Sequence, residues 1–159
     1  MGANVVGYSL ESPTTPNHIS LLELDIVSIV GDIRDLEKLN QKILSLLREI
    51  KNVVLEKDSF FSLAVFGSYA KNKFNKNSDL DVVIIFENKG FDELIKPEIN
   101  SIKRKSLIPI DIHFFSKKEF LEMVFSKKQN LGKEIINNFL AFYGGEFLYN
   151  LILKNEFIN

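Results

Sequence analysis

The chain has 159 residues, 45% of them hydrophobic, and a formal net charge of −1. This fits one compact domain with a substantial core and gives no overall attraction to nucleic acid. There is no cysteine, which excludes disulfides and thiolate metal sites, and His18 and His113 stand too far apart for zinc-ligand spacing.

Residues 1–17, punctuated by Pro13 and Pro16, read as a tail or linker, and residues 18–159 as the folded domain with flanking helices. Within the tail, Val5–Leu10 has the pattern of a short strand, such as the wing of a winged-helix module. Ile19–Val30 is apolar on several faces and predicts a helix packed on the domain or on a partner. From Asp35, the residues Leu36, Leu39, Ile43, Leu46, Leu47, Ile50 and Val54 recur at helical spacing, so a long amphipathic helix is expected to about Glu56. Phe61–Phe66 follows as a buried strand, and Gly67-Ser68 opens a short helix for which Ser68 is the expected cap. The lysine- and asparagine-rich segment 71–77 leads to a second strand, Leu80–Phe86.

Phe91–Lys105 reads as helical, with Pro97 either kinking it or starting a second helix. Ile108–Phe115 is the third strand. Ser116-Lys117-Lys118-Glu119 has the form of a capping box and predicts a helix to about Phe125. Leu131–Tyr143 and Glu146–Lys154 are expected as two more helices, parted at Gly144-Gly145 by a left-handed break. The fold class is therefore α+β, a small mixed sheet with helices packed against it. No apolar run is long enough to span a bilayer, and Met1-Gly2-Ala3-Asn4 lacks the features of a signal peptide, so a cytoplasmic protein is expected.

The chemistry concentrates between Val65 and Ile85. Side chains alternate across a strand, so Asp79 and Asp81 project from one face while Leu80 and Val82 take the other. Adjacent carboxylates repel, and a shared strand face favours their use as cation ligands. Ten residues upstream, Gly67-Ser68 ends an apolar run and lets a turn approach something bulky and anionic. A helix starting at Ser68 would add free N–H groups and its positive dipole end. Together these residues describe a metal-triphosphate site. It is not a Walker A loop, whose glycine-lysine pattern is missing.

This arrangement of Gly-Ser, a ten-residue gap and Asp-apolar-Asp resembles the nucleotidyltransferase superfamily, which includes DNA polymerase β and the small minimal nucleotidyltransferases. The resemblance is close over about Leu63–Phe115. It implies the nucleotidyltransferase fold, with Gly67 and Ser68 binding the nucleotide phosphates and Asp79 and Asp81 holding two Mg²⁺ ions. In that family a third carboxylate lies on a later strand, a place Asp111 fills here between Ile110 and Ile112. Many members carry Arg-Gly where this chain has Lys71-Asn72. Lys71 still offers a charge to phosphate without arginine's bidentate fork, and Asn72 tolerates a left-handed turn.

The implied reaction is metal-dependent transfer of a nucleoside monophosphate, AMP from ATP, to an acceptor hydroxyl. Small size and the lack of template-holding domains favour a single transfer, and minimal members often serve as antitoxins that adenylylate a partner protein. A protein partner or a homodimer is expected; no membrane association is, and nucleic acid stays open. Lys73 and Lys76 read as solvated loop residues; His113, on the same sheet face as Asp111, reads as a packing residue, with contact to substrate as the alternative. The rival reading is a non-catalytic nucleotide-binding or regulatory protein, including the remainder of a winged-helix DNA-binding regulator.

Overall fold

The structure is a computed structural model, and it describes residues 41–156. The expected tail, the strand at Val5–Leu10, the helix at Ile19–Val30 and the start of the helix from Asp35 lie outside the described residues. Helix α1 (Gln41–Leu55) buries Ile43, Leu46, Leu47, Ile50 and Val54, the single stripe that its helical spacing predicts. Five residues later the chain enters β1 (Phe61–Phe66), buried at every position. Such a strand must be covered on both faces, and its even and odd residues do enter two separate cores.

The other strands are β2 (Leu80–Phe86), β3 (Ile110–Ser116) and β4 (Phe139–Tyr143), in the order β3-β2-β1-β4. β1 pairs antiparallel with β2 and β4, while β2 and β3 run parallel. The parallel pair requires a crossover, which α3 (Phe91–Lys105) supplies after the short α2 (Gly67–Ala70) has linked β1 to the loop before β2. Pro97 sits inside α3, which continues as one helix through it. On one face, α1 and α3 pack over Leu63, Val65, Val82, Ile84 and Ile112. On the other, α4 (Lys117–Phe125), α5 (Leu131–Asn137) and α6 (Gly145–Glu156) cover Ala64, Phe66, Val83 and Ile85.

The capping box is present: the Ser116 hydroxyl accepts the Glu119 N–H, and Glu119 accepts the Ser116 N–H at 2.9 Å. The expected helix over Leu131–Tyr143 is corrected. It stops at Asn137, and Phe139–Tyr143 becomes edge strand β4, with Ala141 opposite Ala64. A five-residue apolar run has no period that separates buried helix from strand, and the free edge of β1 decides it by offering backbone partners. Gly144 is left-handed at φ 62°, as expected of the break, although it ends a strand rather than a helix. A Cβ there would lie 2.0 Å from the Phe61 carbonyl oxygen, so glycine lets the chain pass against β1.

This topology gathers the end of β1 and the starts of β2, β3 and β4 at one end of the sheet. Among the described residues no helix is long and apolar enough to cross a membrane.

Candidate active site

At that end β1 turns sharply into α2 through Gly67, whose φ of 66° favours glycine. Space imposes the same choice, because a Cβ on Gly67 would lie 2.1 Å from Asp81 Oδ2. The turn thus rests directly on a carboxylate. Asp81 is the second residue of β2 and shares its face with Val83 and Ile85, the side covered farther along by α4 to α6. Parallel pairing sets Asp111 of β3 beside it in register. Asp79 lies one residue before β2, exposed, at the mouth of the same face.

Three acidic groups act on Asp81. Burial raises its carboxyl above the usual range, Asp111 and then Asp79 push it further up, His113 partly offsets them, and Glu134 adds to the rise. Aspartates that raise a neighbour's proton affinity in this way form a negative cluster short of positive charge. Beside Asp111, His113 Nε2 lies 3.1 Å from Asp111 Oδ2. The imidazole is held between Phe66, at 5.7 Å between ring centres, and Phe115, at 6.4 Å and nearly parallel.

Lys71 caps α2 and reaches Glu134 Oε1 of α5 at 3.4 Å, both side chains being exposed. Asn72 takes the left-handed conformation, φ 53°. The cap expected at Ser68 is corrected: Phe66 occupies the N-cap position without a side-chain bond, and Ser68 is the second residue of the helix. At four residues α2 also contributes little dipole, since the macrodipole grows with aligned peptide units.

The structure therefore brings Gly67, Asp81 and Asp111 into immediate proximity and places Asp79, Ser68 and Lys71 around them. Two neighbours lie outside the set of site residues expected from the sequence. His113 carried a weak signal, two residues beyond Asp111 on the same strand face, whereas Glu134 comes from a helix distant in sequence and carried none.

Among the described residues no three His, Asp or Glu side chains are drawn to metal-ligand spacing. The donor set nonetheless suits a hard divalent cation: carboxylate oxygens from Asp79, Asp81 and Asp111, a mutual repulsion that a cation would relieve, and a glycine cradle against Asp81. A cavity of about 730 Å³ opens at the opposite ends of β2 and β3, beside Phe86, Ser116 and Glu119. It contains none of these aspartates.

Residues 47–137 match the family model of the nucleotidyltransferase domain. That match takes in more than half of the chain, which belongs to this family. Over 45 residues the chain is 40% identical to a Methanocaldococcus jannaschii protein provisionally named a protein adenylyltransferase, covering 28% of this chain and 46% of that protein. The chain thus matches about half the length of that curated relative. A Sulfolobus solfataricus crystal structure, provisionally titled a nucleotidyltransferase, is 17% identical, with a TM-score of 0.37, covering 67% of this chain and 90% of that one.

Proposed function

We propose that the protein transfers AMP from ATP to a hydroxyl of a partner protein, in a reaction that depends on a divalent metal. The observation that carries this reading is the contact of Gly67 with Asp81 beside Asp111. It sets a turn that requires glycine against two carboxylates held side by side in register. Family membership supports nucleotidyl transfer, and the name of the M. jannaschii relative supports adenylyl donation to protein.

Asp79, Asp81 and Asp111 would hold two magnesium ions. When bound, these would neutralise charge on the triphosphate and make the acceptor hydroxyl more acidic. The chain's own residues do the rest. Gly67 and Ser68 let the phosphates approach the sheet edge, and Lys71 leaves Glu134 for a phosphate oxygen. Asp111, oriented by His113, accepts the acceptor's proton. The acceptor oxygen bonds to the α-phosphorus as the bond to the bridging oxygen breaks, and pyrophosphate leaves. In the cell this chemistry suits an antitoxin that inactivates a toxin encoded beside it.

Mass spectrometry of a co-expressed neighbouring gene product tests the reading. A gain of one or more AMP groups that disappears with Asp79→Asn is expected. An unmodified neighbour, with label from ATP found instead in RNA or small molecules, would overturn the choice of acceptor.

A further inference from the structure

On the other side of the same sheet end lies a cleft that the transfer step leaves unused. Its volume is about 370 Å³, and its walls include Tyr69, Phe74, Lys76, Ser78, Leu107 and Pro109. The Phe74 ring stacks on Tyr69, with centres 4.3 Å apart and planes 7° from parallel. Phe74 remains 40% exposed and Leu107 89% exposed. One exposed leucine is ordinary. Paired in one cleft with a rigidly stacked aromatic, it forms an apolar hollow ready to receive a side chain.

The rim is basic. Lys73 and Lys76 lie on the loop that carries Phe74, and Lys103, Arg104 and Lys105 form the last turn of α3, which ends just before Leu107. Among the described residues none of these five cations has a carboxylate partner, whereas Lys71, Lys89, Lys96, Lys117 and Lys118 each have at least one. The cleft also adjoins the aspartates. Ser78 directly precedes Asp79, the Leu80 N–H donates to the Pro109 carbonyl at 2.8 Å, and Asp111 lies two residues beyond Pro109.

We propose that this cleft docks the acceptor protein through an acidic segment. One aromatic or aliphatic side chain would enter between Phe74 and Leu107, and flanking Asp or Glu residues would meet Lys73, Lys76 and the Lys103–Lys105 turn. The inference rests on the protein-acceptor reading above and adds the chemistry of the segment recognised. An apolar anchor ringed by complementary charge is the usual anatomy of a protein contact. A nucleic-acid strand is the poorer fit: it would want successive stacking faces, and Phe74 is the one exposed aromatic ring among the cleft's lining residues, since its stacking partner Tyr69 is buried.

The test is selection of a random-peptide display library on the full chain, followed by titration of the selected peptides. The expected winners carry Asp or Glu around one aromatic or leucine. Leu107→Asp and the double variant Lys73→Glu/Lys76→Glu should each weaken their Kd about tenfold, while leaving Mg-ATP binding intact. Leu107 is almost fully exposed, so its substitution should leave the fold unchanged. The proposal falls if no peptide is enriched, if the winners are neutral or basic, or if neither variant moves their Kd. It also falls if oligouridylate binds the wild type more tightly than the peptides and displaces them. Peptide binding needs no turnover, so the two readings separate. Asp79→Asn should lose transfer and keep peptide affinity, and a wild type that transfers AMP without engaging peptides at Leu107 would refute the docking site alone.

Discussion

Gly67 is the residue on which the site turns, because two independent constraints meet there: a positive φ and a carboxylate oxygen where a Cβ would sit. Gly67→Ala should therefore lose about 1–2 kcal/mol from the left-handed backbone alone. It should also displace Asp81 and reduce transfer far more than this stability loss would suggest. Denaturant titration beside a transfer assay distinguishes the two effects. Asp81 behaves in the opposite sense. Its pKa is raised by burial and by Asp111 and Asp79, so its stabilising contribution is full below the unfolded value and is lost as pH rises through the higher folded value. Asp81→Asn should thus be more stable than wild type at neutral pH without metal, with the gap closing in acid. Added Mg-ATP should raise the wild-type Tm and leave the variant's Tm almost unmoved. A wild type that is the more stable at neutral pH without metal would refute this electrostatic account.

Among the elements, α4 and β4 differ in how openly the sequence announced them. The start of α4 was legible because Ser116 and Glu119 stand at capping-box spacing, a purely local signal. Hydrogen bonding to Lys89 and to Ser116 lowers the Glu119 pKa to about 2. That contribution is present above the ordinary glutamate pKa and is lost as pH falls toward 2. Glu119→Gln should consequently lower stability at pH 7 and approach wild type in strong acid, as thermal melts across pH would reveal. Strand β4 had no comparable local signal. Phe139–Tyr143 is a strand because β1 has an open edge, and no residue within the run records that edge. Gly144→Ala tests the assignment: a left-handed φ and a Cβ 2.0 Å from the Phe61 carbonyl should destabilise the protein by at least about 1–2 kcal/mol. Transfer per folded molecule should hardly change, since Phe61 pairs with Phe86 at the end of the sheet remote from Asp81.

For the whole molecule, the sheet could be read in advance wherever a short apolar run was bounded by turn or cap residues, as in β1, β2 and β3. The proximity of Asp81 and Asp111 followed from family resemblance rather than from spacing, since only the parallel β2–β3 register makes them neighbours. Glu134 and the Phe74–Leu107 cleft were illegible because each depends on segments that meet only after folding. In the proposed reaction the aspartates at this sheet end drive AMP transfer. Its most direct test is incubation with ATP labelled at the α-phosphate, magnesium and a cell lysate, followed by separation of protein, RNA and small-molecule fractions. Label is expected in the protein fraction, absent with label at the γ-phosphate, and abolished by chelation of the metal or by Asp79→Asn or Asp81→Asn in a folded protein. Incorporation that persists in either variant, or no incorporation into any fraction, would contradict it.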